Sequence, residues 1–389
     1  MTDWKPQPYR RAAEIEGISP AILKASIAAS QAVVAVNPSL PPILTLRHLS
    51  YLSGVSYRYL RQVVSREEID PYKTFRIRKR PRRDGRARFR VICVPNFDLA
   101  EVQRWVASKV LARGRPHSAS TAFAPGSRLV DAARPHCGSR WIVKVDVRRF
   151  FESVTEISAY RAFRRLGYQP LVSLELARLC TRVGPPSKLR RRRRWIRLAP
   201  QSVAKIENYA VPRLGHLPQG APTSPMLANL TMCEADADLA KVAESAGMTY
   251  TRYADDLTFS TIRPSFDRDD AQALIKQVYR ILGRFGLEPN LAKTQVVPPR
   301  ARKIVLGLLV DQDTPRLSRE FKNKMRMHLY YLERADVGPI MHAETRGFSA
   351  VAGLRNHLLG LAAYASQVEP AYGAELKIRL KAVSWPVVY

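Results

Sequence analysis

Two adjacent carboxylates, Asp255 and Asp256, sit between two short β-prone runs, Met248 to Arg252 and Leu257 to Ser260. The pattern predicts a β-hairpin with the acids at its turn. Like charges side by side repel, and a fold tolerates them best when a cation lies between them. A third carboxylate, Asp146, ends the apolar run Trp141 to Val145. An acid at the end of a buried strand needs a partner or a metal. Asp146 and Asp255 lie 109 residues apart, each in a strand context. Carboxylates converging from different strands on two divalent ions about 4 Å apart are what nucleotidyl transfer requires. One ion lowers the pKa of an attacking hydroxyl, and the other holds a triphosphate and its leaving pyrophosphate. An isolated Asp-Asp pair is more often a solvated acidic turn, so the rest of the chain has to decide.

The elements that must position these acids can be read in order. Ile18 to Val36 predicts a helix ended by Asn37-Pro38, and Leu44 to Arg66 predicts two short helices broken at Gly54. Tyr72 to Arg80 and Ala87 to Pro95 alternate around Asp84-Gly85, a hairpin signal. From Arg76 to Arg90 there are nine Lys/Arg and one acid, Asp84. That density exceeds what protecting a sheet edge needs, and it predicts basic residues on one face gripping a phosphate backbone or a triphosphate. Asn96 to Arg113 reads as an amphipathic core helix, Leu129 to His136 as a short helix, and Ile157 to Leu166 and Leu171 to Val183 as further helices. Ser224-Pro225 start a helix running to about Ala246, and Asp267 to Phe285 is another. Lys303 to Val310 reads as one strand pairing into the sheet. Ser318 to Arg334, with Ser318 as N-cap, and Gly347 to Gln367 are the closing helices.

Composition narrows the class of partner. The 389 residues carry 64 Lys+Arg against 33 Asp+Glu, a net charge of +31. That imbalance predicts a polyanion, and nucleic acid before a membrane, because no apolar run approaches the ~20 residues that span a bilayer. Cys93, Cys137, Cys180 and Cys233 are scattered with no Cys-x-x-Cys pair, so reduced thiols in a cytoplasmic protein are expected, as is the lack of a signal peptide. Residues 184–216 include Arg190, Arg191, Arg192, Arg193 and Arg194 followed by Trp195. They read as an exposed basic insertion with a ring available for stacking on RNA, against the plainer reading of a solubilising loop.

Taken together, the motifs resemble those of reverse transcriptases, and among them the bacterial retron enzymes, from about Tyr72 to the C-terminus. Arg90-x-Ile92-x-x-Pro95 is similar to the fingers motif, Asp146 to Phe151 to the first catalytic motif, Gln219 to Pro225 to the Gln-Gly-x-x-x-Ser-Pro loop, and Tyr253 to Asp256 to the second catalytic motif. Any one of these is weak; their occurrence in family order is specific. Two retron signatures are partial. Ala132 to His136 keeps the Ala and His of Asn-Ala-x-x-His and lacks its Asn, and Val305-Leu306-Gly307 lacks the Thr of Val-Thr-Gly.

The resemblance implies an α+β right-hand polymerase, its palm an antiparallel sheet with helices on one face. The implied segments are an N-terminal helical extension (1–69), fingers (70–140), a palm (141–312, with the basic insertion 184–216) and a helical thumb (313–389). It implies RNA-directed DNA synthesis with two Mg²⁺ ions, held by Asp146, Asp255 and Asp256 as the catalytic set. Arg90, Phe151, Gln219 and Lys293 are implied around the nucleotide, with Phe151 excluding a ribose 2′-hydroxyl while Phe150 packs in the core. Tyr253, Gly307, Arg78 and Arg88 are implied along primer and template. Implied partners are dNTPs, a cognate structured non-coding RNA and its branched cDNA product, and a separate effector protein in anti-phage defence, with no membrane involved. Two other readings stay open: a reverse transcriptase of group II intron or abortive-infection type, and a non-catalytic RNA-binding scaffold of the same shape. The chain ends soon after the thumb, which is expected of the retron type.

Overall fold

The computed structural model describes residues 6–67, 70–79, 88–184 and 214–386. In chain order it begins with helices α1 (Pro6–Ile15), α2 (Pro20–Val36), α3 (Leu46–Ser53) and α4 (Tyr57–Ser65), then strands β1 (Tyr72–Lys79) and β2 (Arg88–Pro95). Helices α5 (Phe97–Lys109) and α6 (Leu129–Ala133) lead to β3 (Trp141–Asp146), the single turn α7 (Phe150–Ser153), α8 (Glu156–Arg165) and α9 (Pro170–Cys180). Next come α10 (Ser224–Thr231), α11 (Cys233–Ser245), β4 (Thr249–Tyr253), β5 (Asp256–Thr261), α12 (Arg268–Arg284) and β6 (Gln295–Val297). The chain closes with β7 (Ile304–Val305), β8 (Leu308–Leu309), β9 (Arg316–Leu317), α13 (Arg319–Glu333), α14 (Gly338–Thr345), α15 (Val351–Val368) and α16 (Pro370–Ala382). It divides into two compact units: Met1–Pro125 with Asp146–Leu239 and Val278–Asn290, and Gly126–Val145 with Ala240–Gln277 and Leu291–Tyr389.

The first unit is helical around the β1–β2 hairpin. Gly54 ends α3 in the left-handed region (φ 73°), as a helix C-terminus favours. The N-terminal helices pack on α8 and α9 through a contact that requires Gly167. That residue has φ +89°, and a Cβ there would lie 2.5 Å from the Ala32 carbonyl oxygen. Tyr168 Oη donates to the Pro41 carbonyl at 2.9 Å, and Asn37 Nδ2 to that of Arg113 at 3.0 Å. A buried ion cluster ties α4, α8 and α9 together. Glu156 accepts from Arg66 at 2.8 Å, from Arg178 at 3.1 Å and from the Gly215 N–H at 3.0 Å. Burial alone would raise the Glu156 pKa, but the two guanidiniums and the amide hold it below the usual carboxylate value. Arg182 and His216 exchange backbone hydrogen bonds of 2.9 and 3.1 Å, a paired neck between residues on either side of 185–213.

The second unit holds a four-stranded sheet in the order β4-β5-β3-β6, with β4–β5 and β3–β6 antiparallel. Tyr250 and Phe259 face each other across β4–β5, rings stacked at 4.8 Å, a cross-strand pair that fixes the register. A separate three-stranded sheet runs β7-β8-β9. The unit's core joins Ile142, Val305, Leu308, Leu317, Met325 and Leu329 to Leu354, Leu358 and Leu376 of the closing helices. Ser318 caps α13 as expected, its hydroxyl accepting from the Phe321 N–H at 3.1 Å.

Several expectations are corrected. Lys303 to Val310 is not one strand of the main sheet. Leu306 and Gly307, both at positive φ, form a two-residue turn between β7 and β8 in the smaller sheet. The helix from Ser224 breaks at Met232 into α10 and α11. Helices α14 and α16 flank the expected closing helix. After Asp146 the extended run ends at Arg149, which adopts φ 51°, and Phe150 and Phe151 lie on the helical turn α7.

Candidate active site

The turn carrying the paired acids is tight and strained. Tyr253 pairs with Asp256, so Ala254 and Asp255 alone make the hairpin loop. Ala254 has φ 56°, a conformation that costs a residue with a Cβ. Fully buried Arg252 offsets that cost, its Nη1 donating to the Ala254 carbonyl at 3.0 Å. A rigid loop thus presents Asp255 half-buried and Asp256 exposed.

Behind the hairpin stands His136, fully buried at the end of the 3₁₀ turn after α6. Its Nδ1 is 2.7 Å from Ser260 Oγ on β5 and its Nε2 2.7 Å from Thr251 Oγ1 on β4. One ring therefore bridges both strands of the hairpin. Burial, helped by the charge of Lys144, pushes the His136 pKa down to about 4, so the ring is neutral at pH 7. One nitrogen then donates and the other accepts, which two hydroxyls can match.

Asp146 ends β3, which lies between β5 and β6 in the sheet. Its alternate neighbour Lys144 projects to the same face. Burial lowers the Lys144 pKa, while attraction to Asp256 opposes the shift. Asp146 is itself only 5% exposed. Its Oδ1 accepts from Asn290 Nδ2 at 2.7 Å, and its carbonyl from the Asn290 N–H at 2.7 Å. Asn290 was not singled out by type or spacing. Its signal is only its place in the Gly286 to Asn290 turn ahead of Lys293.

Of the motifs expected around a nucleotide, the Gln219 loop and strand β2 meet within the first unit, while Lys293 belongs to the second. The Cys93 N–H on β2 donates to the Gln219 carbonyl at 2.7 Å. Gly220 beside it has φ +114°, and a Cβ there would meet Ile92 Cγ2 at 2.8 Å and the Cys93 carbonyl at 3.1 Å. The Gln-Gly pair is thus the sequence that lets this loop lie against strand β2. Gln219 is half-buried. Phe150 is buried in the core and Phe151 is half-buried, its ring 5.5 Å from that of Phe150 and 6.3 Å from that of Phe123.

The β1–β2 hairpin departs from expectation. Its register opposes Ile77 to Arg90 and Arg78 to Phe89. Opposed residues share a face, so Arg78 and Arg90 lie on opposite faces and not on one. Both faces mix cations with exposed apolar side chains: Phe75 and Ile77 are each 49% exposed on one, Phe89 52% on the other. Arg88 belongs to β2, but its side chain lies outside the described residues, as do Asp84, Gly85, Arg190 to Arg194 and Trp195. Lys293 is exposed on a 3₁₀ turn, and Gly307 is exposed at the β7–β8 turn.

By donor type, three carboxylates suit a hard divalent cation such as Mg²⁺. Among the described residues, no three His, Cys, Asp or Glu side chains are already gathered at one point. No helix among them is long and apolar enough to cross a membrane, and the four cysteines are free.

Comparison with known proteins decides the family. The family model "Reverse transcriptase (RNA-dependent DNA polymerase)" matches residues 77–310. The chain is 31% identical over 356 residues to the retron Mx65 reverse transcriptase of Myxococcus xanthus, covering 88% of this chain and 72% of that protein. The chain is a member of the retron reverse transcriptases. It is also 28% identical over 346 residues to the retron Ec86 reverse transcriptase of Escherichia coli, covering 87% and 93% of the two chains. A third relative, the retron Mx162 reverse transcriptase of M. xanthus, is 31% identical over 332 residues, covering 82% of this chain and 63% of that protein. This retron reverse transcriptase is therefore an RNA-directed DNA polymerase of the α+β right-hand class. His136, kept from a partial retron signature, is the ring that bridges its β4–β5 hairpin.

Proposed function

We propose that this enzyme reverse transcribes part of a cognate structured non-coding RNA into a branched RNA–DNA, multicopy single-stranded DNA, primed from an RNA 2′-hydroxyl. The observation that carries the catalytic part is the strained Ala254-Asp255 turn, which holds two acids on the hairpin beside the strand ending in Asp146. Asp146, Asp255 and Asp256 are assigned to hold two Mg²⁺ ions. Such ions supply a lowered pKa at the attacking hydroxyl and charge neutralisation of the triphosphate. Arg90 is assigned to the triphosphate, and Lys293 to donating a proton to the leaving pyrophosphate. Phe151 is assigned to the sugar, where its ring excludes a 2′-hydroxyl, and Gln219 to the base and sugar edge of the same pocket. Tyr253 and Gly307 are assigned to the primer end, and Arg78 and Arg88 to primer and template phosphates.

Arg190 to Arg194 and Trp195 are assigned to the non-coding RNA, in keeping with a net charge of +31. In this reading residues 1–69 are an N-terminal extension, 70–140 fingers, 141–312 palm and 313–389 thumb. The enzyme works in the cytoplasm with a separate effector protein in defence against phage.

Two measurements test the proposal. Asp255→Asn and Asp256→Asn should each abolish Mg²⁺-dependent primer extension while RNA binding survives; undiminished synthesis by both would sink the catalytic assignment. Nucleic acid co-purified with the enzyme should sequence as one defined RNA joined to cDNA through a branch. Linear cDNA from mixed RNAs would refute the retron-type product.

A further inference from the structure

The contact between Asn290 and Asp146 is stronger than the docking of its segment requires. Residues 288–290 run antiparallel to 146–148 and are already held by the backbone. The Arg148 N–H donates to the Glu288 carbonyl at 2.7 Å, Val147 and Pro289 form a β-bridge, and the Asn290 N–H donates to the Asp146 carbonyl at 2.7 Å. Pro289 stiffens the middle of this segment. With the main chain so fixed, the side-chain amide of Asn290 adds a bond of a different kind. It donates to Oδ1 of the Asp146 carboxylate at 2.7 Å, at the short end of the range for an N–H···O bond.

The residue type matters as much as the distance. A lysine or arginine at this place would neutralise the carboxylate and compete with a divalent ion for it. A neutral amide fixes the rotamer and leaves the negative charge in place. A carboxylate has about four lone-pair sites, so accepting one amide bond is compatible with ligating a metal. The acid is 5% exposed, so solvent does little to orient it, and a fixed donor has correspondingly more influence.

We propose that Asn290 is a positioning residue for this polymerase, its amide holding the Asp146 carboxylate in the orientation in which it ligates a divalent metal. The inference rests on the assignment of Asp146 as a metal ligand. Asn290 also sits three residues before Lys293, so the turn that orients one proposed catalytic group leads directly into another.

The test uses the full-length chain freed of RNA, with Mn²⁺ as the probe, its binding followed by loss of the free-ion paramagnetic resonance signal. Asn290→Ala should weaken Mn²⁺ binding about 10- to 100-fold, the usual cost of losing a partner that orients a ligand. Its melting temperature should stay near that of the parent, because the backbone bonds remain. Primer extension by Asn290→Ala should recover when the metal concentration is raised, which a merely structural lesion would not allow. Asp146→Asn serves as the control for the underlying assignment. If Asp146→Asn weakens Mn²⁺ binding and Asn290→Ala binds it like the parent, the positioning role is wrong and the ligand assignment stands. If Asp146→Asn itself binds Mn²⁺ like the parent, the ligand assignment has failed. Should Asn290→Ala not fold, Asn290→Ser carries the measurement; loss of folding in both would make the amide a structural staple and overturn the proposal.

Discussion

Replacing His136 by leucine should loosen the β4–β5 hairpin in a way that depends on pH. The ring makes two 2.7 Å hydrogen bonds, to Ser260 on β5 and Thr251 on β4, in a fully buried site. Leucine fills the space but leaves both hydroxyls without the ring. At about 1–3 kcal/mol for each buried polar group deprived of a partner, the cost at pH 7 is at most roughly 2–6 kcal/mol, and Thr251, which also donates to the Ala132 carbonyl at 3.4 Å, keeps it toward the lower end. The pH dependence follows from linkage. The folded-state pKa is depressed to about 4, first by burial and then by Lys144, while the unfolded ring titrates near 6.5. Above pH 6.5 the ring is neutral in both states and contributes no slope. As pH falls below 6.5 the unfolded chain takes up a proton that the folded hairpin refuses, so stability is lost down to about pH 4. Between pH 7 and pH 5 that loss is about 2 kcal/mol, and it should vanish in His136→Leu. Hydrogen exchange of the β4 and β5 amides at the two pH values, corrected for intrinsic exchange, reads the local opening free energy. It also separates His136 from His328 of α13, whose pKa is pushed down to about 4 by burial and by His342. Equal pH dependence in parent and variant would refute the argument.

Phe151→Ala should admit ribonucleotides with little loss of melting temperature, because Phe150 supplies the buried ring; unchanged discrimination between dNTPs and NTPs would remove the steric role. Gly220→Ala should cost about 1–3 kcal/mol from the left-handed φ and the contact with Ile92, lowering the melting temperature and weakening dNTP binding together. A variant that melts and binds as the parent would show that the loop yields easily. Neutralising Arg190 to Arg194 should weaken RNA binding and reduce its salt slope by about one for each phosphate no longer neutralised; an unchanged slope would mark the run as a solvated loop.

The parts of this enzyme that were legible in the sequence are those set by local rules. The β4–β5 hairpin follows from alternating β-prone residues around a short polar turn, and the α13 N-terminus from Ser318. Other parts depend on information that no local window contains. Whether Arg78 and Arg90 share a face is decided by strand register, since a slip of one residue reverses the parity of every pair. The break at Leu306-Gly307 is hidden inside an apolar run that reads as continuous strand. Phe150 and Phe151 leave the extended conformation because Arg149 turns left-handed. Of the three acids, each could be picked out by type and motif, but their supports could not. His136 reaches its partners across more than a hundred residues, and Asn290 meets Asp146 across 144.

The neck formed by Arg182 and His216 bears on how such an enzyme can diversify. The ends of the 184–216 segment are stitched by two backbone hydrogen bonds and anchored through Gly215 to the buried Glu156 cluster. The cost of bringing those ends together is met by the fold itself, whatever lies beyond the neck. Doubling the length of a flexible loop adds only about 0.6 kcal/mol. The ends of this stretch are therefore set by Arg182, Gly215 and His216, so a change of sequence or length between them leaves the Glu156 cluster and the Arg182–His216 pairing in place.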